Sequence, residues 1–244
     1  MELRFIGSGD AFGSCGRFNT CFLVTGSRCR FLIDCGASSL VALKQAGIEM
    51  NSIDGVVLSH LHGDHFGGLP FFLLDARLIA KRKKPFFIIG PEGHEARLAA
   101  AQEALFPGSS HSALGFAVTR RTLEAETSCD GEGFTVTPYP AAHSAGAPCF
   151  SLRIECDGKT VAYSGDTEWT DNLARAAQGI DLFICECSSY ERPLKGHIAY
   201  RSIAPLLAGL GARRVILTHM NPDMLERRSL LAQETASDGM VVTL

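Results

Sequence analysis

At 244 residues, with 46% hydrophobic and 20% charged side chains, the chain has ordinary globular make-up and length for a sizeable core. A net charge of −3 gives no field for coating a polyanion, and no run approaches the ~18 uninterrupted apolar residues of a membrane span. The opening Met1-Glu2-Leu3-Arg4-Phe5-Ile6-Gly7 lacks a signal peptide's apolar stretch, and the nine cysteines are odd in number and scattered. Reduced thiols in a cytoplasmic protein without membrane association are therefore expected.

Short runs rich in Val, Ile, Phe and Thr predict strands over 2–7, 20–25 and 30–34. A helix over 38–45 follows, with Ser38 or Ser39 as its cap and a stop near Gly47. Strand 55–59, helix 69–83, strand 86–89 and helix 92–105 come next, then strands over 114–121, 134–139, 149–156 and 160–164. The last two are joined by Asp157-Gly158, a strong two-residue hairpin signal. The remainder alternates: helix 171–177, strand 182–186, helix 198–210 ending at Gly211, strand 213–218, helix 222–234 and strand 240–244. Strands first and an alternating end predict an α/β (α+β) architecture, with stacked mixed sheets and helices outside. No linker, repeat or low-complexity tract interrupts 1–244, so a single domain is expected. Lys81-Arg82-Lys83-Lys84 reads as the solvated end of a helix. Cys185-x-Cys187 alternates within a strand pattern and reads as structural thiols.

Four places along the chain carry metal-binding chemistry. Ser59-His60-Leu61-His62-Gly63-Asp64-His65 follows an apolar strand, so His60 and His62 can turn toward one ion, and Asp64 and His65 toward a second. His143, Asp166 and His219 each follow another strand-like run, and strands ending at one edge of stacked sheets would bring all four groups together. Imidazoles with one or two carboxylates suit zinc, with manganese or iron as alternatives, and two ions about 3.5–4 Å apart form a clamp for hydrolysis. Asp166 can bridge the two ions or, on its other reading, cap the helix starting near Thr170. Asp34, at a strand end, is expected to orient a ligating imidazole. His197, with Glu186 to hold it, can protonate a departing alkoxide. His94 and His111 have no such context and are expected on the surface.

With these residues in view, the chain resembles the metallo-β-lactamase superfamily, whose fold is a four-layer αβ/βα sandwich. By that resemblance His60, His62 and His143 hold one ion, Asp64, His65 and His219 the other, and Asp166 bridges them. The ribonuclease Z-like branch is the nearest. Phe5 to Ala11, Arg17 to Thr20, Gly196-His197 and Val215 to His219 are similar to its motifs, and Glu186 matches the glutamate of its His-Glu-Ala-Thr motif. In that branch the glutamate and histidine assist the leaving group, and the aspartate matching Asp64 also acts as a base. His-Ser-Thr has become His197-Ile198-Ala199, and His-Glu has become Cys185-Glu186. Nothing between His65 and His143 resembles the long Gly- and Lys-rich arm that grips tRNA, which disfavours RNA as the substrate.

The expectation is a metal-dependent hydrolase using a hydroxide bridged between two divalent ions. Its expected substrate is a small-molecule phosphodiester, cyclic or nucleotide, and the resemblance implies a homodimer. A ribonuclease Z-like endoribonuclease is one alternative. A lactone or thioester hydrolase with the same ligands is another, disfavoured by the presence of Glu186 and His197.

Overall fold

Two seven-stranded mixed sheets lie face to face with helices on both outer surfaces in the computed structural model, which describes residues 1–244. The first sheet contains β1 (Glu2–Gly7), β2 (Cys21–Thr25), β3 (Arg30–Ile33), β4 (Gly55–Val57), β5 (Phe86–Gly90) and β6 (Val118–Thr122). The second contains β7 (Cys129–Asp130), β8 (Phe134–Pro140), β9 (Phe150–Cys156), β10 (Lys159–Tyr163), β11 (Leu182–Glu186), β12 (Arg214–Thr218) and β13 (Glu234–Thr235). The last strand, β14 (Val241–Thr243), returns to pair with β1. Each sheet is antiparallel in one half and parallel in the other: β3 to β6 are parallel, as are β10 to β13. Helices α1 (Ser39–Gln45), α2 (Gly63–Phe66), α3 (Leu69–Leu78) and α4 (His94–Leu105) belong to the first half of the chain. Helices α5 (Asp171–Ala176), α6 (Tyr200–Leu207) and α7 (Pro222–Glu226) belong to the second.

Alternation along the strands creates these layers. In β11, Leu182 and Ile184 enter the core between the sheets, while Phe183 and Cys185 face the helical side. In β2 and β3, Phe22, Val24, Phe31 and Ile33 point inward, and Cys21, Leu23 and Leu32 point toward the outer helices. Each fully buried aliphatic or aromatic side chain contributes roughly 1.5–3 kcal/mol, and a one-residue slip would reverse every one of these choices. Cys185 and Cys187 are buried, unpaired and packed among apolar side chains. No helix is long and apolar enough to cross a membrane.

Several local expectations are borne out and others are corrected. Asp157 and Gly158 both take positive φ, 51° and 71°, and close the β9–β10 hairpin as a primed turn does. Gly47 and Gly211 follow α1 and α6 with positive φ. Ser38 does not cap α1; its hydroxyl accepts the Asn19 N–H at 2.7 Å. The third helix ends at Leu78 instead of Lys83, because Arg82 folds inward and is 2% exposed. Its guanidinium lies over the Phe86 and Phe116 rings and donates to the Lys84 and Pro85 carbonyls. The last helix stops at Glu226, and the following residues form a short turn and β13. Two-residue β7 and β13 and the four-residue α2 were not anticipated.

Candidate metal centre

The carboxyl ends of β4, β10, β11 and β12 meet at one edge of the sandwich, as does the end of β8. Leaving β4, the chain presents His60 and then Asp64 and His65 on α2. The β8–β9 loop supplies His143, the turn after β10 Asp166, the last residue of β11 Glu186 and the residue after β12 His219. The turn holding Asp166 needs Gly165: φ there is +59°, and a Cβ would lie 2.6 Å from the Phe150 carbonyl oxygen.

The side chains form three overlapping groups. His60, His62, His143 and Asp166 converge in one, and Asp64, His65, Asp166 and His219 in a second, so Asp166 belongs to both. One Asp166 oxygen is 3.8 Å from His60 Nε2, 3.9 Å from His143 Nε2 and 3.6 Å from His219 Nε2. The other is 3.2 Å from His65 Nε2. Asp64 Oδ2 lies 3.1 Å from His219 Nε2 and 3.2 Å from His65 Nε2. The third group is Glu186, His197 and His219. His197 Nδ1 donates to Glu186 Oε1 at 3.1 Å and stands 4.0 Å from Asp166 Oδ2. Asp166 caps no helix, since Thr170 caps α5 by accepting the Leu173 N–H.

Neighbours set the orientation of each ring. His65 Nδ1 donates to Asp34 Oδ2 at 2.7 Å, and Asp34 also accepts the Ser59 N–H and hydroxyl. His60 Nδ1 is 3.0 Å from Ser59 Oγ, and His143 Nδ1 donates to the Gly196 carbonyl at 2.9 Å. His219 has φ of 56°, unusual for a residue with a side chain, and is held there by its N–H to the Ser8 carbonyl. Ser8 is in turn braced by Asp238 and Arg17, so the Arg17 region of the sequence acts as a tether beneath His219.

Burial and charge divide the titrating groups. Burial lowers the pKa of His60 and His143, reinforced by neighbouring imidazoles, and leaves their lone pairs available. For His65 and His219 burial opposes charge, but the surrounding aspartates outweigh it; His65 is raised and His219 reaches about 9. Asp166 and Asp64 are held below the usual carboxylate range against the burial cost, chiefly by His219 and His65 for the first and His65 for the second. Burial raises Glu186, and in His197 the Glu186 carboxylate overcomes burial and raises the imidazole.

Divalent ions fit this donor set. The buried Nε2 atoms of His60 and His65 and Oδ1 of Asp166 have no hydrogen-bond partner, although each aims into the cluster. An unpaired buried polar atom costs about 1–3 kcal/mol, so several converging on one point are a liability unless a cation satisfies them. All seven residues expected from the sequence as ligands are brought together, and Glu186 and His197 stand beside them. Tyr163 (Oη 3.3 Å from His65 Nδ1) and the Gly196 carbonyl were missed, because nothing local in the sequence marks contacts between such distant segments, and Ser59, adjacent to His60, was missed as a partner of its ring. His94 is buried, not on the surface, and donates through Nδ1 to the Pro91 carbonyl; His111 is exposed.

A family model described as "Anti-Pycsar protein Apyc1" matches residues 1–241. The chain belongs to that family. The Apyc1 family chain is also similar to a protein of Mycobacterium bovis named ribonuclease Z, 28% identical over 198 residues that cover 75% of this chain and 69% of the relative. The solved human tRNase Z, short form, superposes with a TM-score of 0.81 at 24% identity, over 100% of this chain and 99% of the other. A metallo-β-lactamase fold protein from Bacillus subtilis, YhfI, gives a TM-score of 0.78 at 20% identity, over 99% of each chain. The αβ/βα sandwich and the ribonuclease Z-like branch of the metallo-β-lactamase superfamily are thus the correct fold and kinship.

Proposed function

We propose that this hydrolase-fold chain is a dinuclear metal-dependent phosphodiesterase acting on a small cyclic or nucleotide phosphodiester. His60, His62 and His143 would hold one ion, Asp64, His65 and His219 the other, with Asp166 shared. Zinc suits this set, and manganese or iron are the alternatives. Bound there, two divalent ions would make water a nucleophile at neutral pH and neutralise charge building on the phosphoryl oxygens.

The observation that carries the reading is the Glu186–His197 pair beside Asp166. Glu186 accepts the Thr167 N–H at 2.7 Å as well as His197 Nδ1, which fixes both the carboxylate and the ring. Held this way, His197 keeps a proton to deliver to the departing oxygen, the assistance an alkoxide leaving group needs. Kinship with a protein named ribonuclease Z supports chemistry at phosphorus. The interval from His65 to His143 is occupied by α3, β5, α4, β6, β7 and β8, which supports a small substrate over a long RNA.

The test is a side-by-side assay with metal analysis, using 3′,5′-cyclic nucleotides, bis-p-nitrophenyl phosphate, an acyl-lactone and a pre-tRNA. Chelator-sensitive turnover of the small phosphodiesters is expected. Turnover of the lactone alone would overturn the reading, and preference for pre-tRNA would restore the endoribonuclease alternative. His197→Ala is expected to lower turnover by about 10²–10⁴-fold with both ions retained; loss of metal in that variant would make His197 a structural residue.

A further inference from the structure

The loop that carries His197 is tied to the turn that carries Asp166 by an exposed acidic side chain, Glu168, whose Oε1 accepts the Gly196 N–H at 2.9 Å. We propose that Glu168 is a positioning residue: this bond sets His197 in register with the ligand cluster, so that its proton reaches the departing oxygen. The inference rests on the phosphodiesterase reading and adds to it a residue that acts through another.

Glu168 closes a circuit of hydrogen bonds around the site. Gly196 gives its N–H to Glu168, and its carbonyl accepts from His143 Nδ1 at 2.9 Å. The Glu168 N–H donates to the Ala142 carbonyl at 3.1 Å, which returns the circuit to the residue before His143. Thr167 doubles that last link, because its hydroxyl accepts the Ala142 N–H at 2.9 Å. Three segments are locked together in this way: the β8–β9 loop with His143, the turn after β10 with Asp166, and the loop before α6 with His197. The side chain of Glu168 joins the second of these to the third.

The His197 backbone needs such an anchor on one side. On its C-terminal side the Ser188 N–H donates to the Ile198 carbonyl at 3.0 Å. On its N-terminal side residues 191–195 are all exposed, and the fixing falls to Gly196. That residue has φ of +78°, and a Cβ there would lie 2.8 Å from His143 Nδ1, so the crossing admits only glycine, the residue with most backbone freedom to lose. Glu186 holds the His197 ring at Nδ1, but the distance from the ring to the cluster is set by where the backbone stands. A misplacement of ~1 Å costs a reacting geometry on the order of 10²-fold. Glu168 is exposed, so its removal deletes the bond without opening the core.

The loop and the chemistry can be read separately. Trypsin cleaves after lysine, and the Lys195–Gly196 peptide bond is the one whose N–H Glu168 binds. Limited proteolysis with mass spectrometry should show Glu168→Ala cut there about tenfold faster than wild type, the worth of one hydrogen bond to a charged group, with other tryptic sites unchanged. Glu168→Gln keeps an acceptor oxygen and should restore most of the protection. In the zinc-loaded protein, Glu168→Ala should lower kcat on a 3′,5′-cyclic nucleotide, which releases an alkoxide, about tenfold with KM little changed. On bis-p-nitrophenyl phosphate, whose p-nitrophenolate leaves without a proton, the loss should be several-fold smaller. Glu168→Gln should recover most of the lost kcat. Unchanged cleavage at Lys195–Gly196, equal losses on the two substrates, or failure of Glu168→Gln to restore both readouts would each overturn the proposal. The phosphodiesterase reading survives those results, since wild-type turnover decides it. If the wild type turns over no phosphodiester, that reading fails, and the cleavage still decides whether Glu168 holds the loop.

Discussion

The two ligand groups that share Asp166 are built on opposite principles. Around His60, His62 and His143 the donors are three imidazoles, two of them only partly buried, and burial keeps His60 and His143 neutral. Around Asp64, His65 and His219 every member is buried, and carboxylates hold the two imidazoles in the charged form. An ion in the first group would meet free lone pairs and one anion. In the second it would meet two anions but must displace protons from His65 and His219, so its binding should tighten as pH rises. The buried group is the anchor, and the open group is the one a substrate can reach.

The largest expected effect removes what the groups share. Asp166→Ala should cost at least one ion and essentially all activity, read by elemental analysis of the purified variant. Two ions at full occupancy would end the idea that this carboxylate bridges. Splitting the pair is the next step. Asp64→Ala should empty the buried group, and His62→Ala should loosen only the open one, so that a chelator titration of the wild type shows two steps and His62→Ala loses the earlier. A single step common to both variants would mean that the groups are not distinct.

A smaller effect tests how the anchor is oriented. Asp34 belongs to neither ligand group, but its Oδ2 accepts a hydrogen bond from His65 Nδ1 at 2.7 Å and so turns Nε2 toward Asp64 and Asp166. Partners of this kind are worth 10–100-fold in metal affinity. Asp34→Asn should therefore weaken one ion by roughly that factor, measured by competition with a chromophoric chelator, and leave the other unchanged. Equal weakening of both would move Asp34 from a positioning residue of one group to a general structural role.

The degree to which this was legible in the sequence depends on how far each contact reaches. His60, His62, Asp64 and His65 were readable because their spacing alone places them on a strand end and the helix that follows. Asp34 was readable because a lone aspartate closes an apolar strand. Asp166, His143 and His219 gained meaning only together, as ends of strands predicted to share an edge. Nothing local could reveal that Arg82 turns inward between two phenylalanines and ends a helix early, or that residues after Glu226 leave the helical pattern to supply β13. His94 looked like a surface histidine, and nothing in its local sequence marks it as almost fully buried with its ring bonded to the Pro91 carbonyl. The Gly-rich start was legible as a motif but not in its role, which is to hold the backbone of His219 through Ser8.

The finest test of the contrast is Ser59, whose hydroxyl reaches both groups. It donates to Asp34 Oδ2 at 2.7 Å, on the path to His65, and lies 3.0 Å from His60 Nδ1. It is fully buried, so no water can replace it easily. Ser59→Ala should cost about 1–3 kcal/mol of stability, because it leaves buried partners unsatisfied, while both ions remain bound. Since Asp34 keeps its second bond, from the Ser59 N–H, the buried group should hold its affinity. His60 loses its only partner at Nδ1, so the open group should weaken more. Thermal denaturation with and without metal, followed by the same chelator titration, separates these effects. A larger loss at the buried group than at the open one would contradict the division of the site into an anchor and an open face.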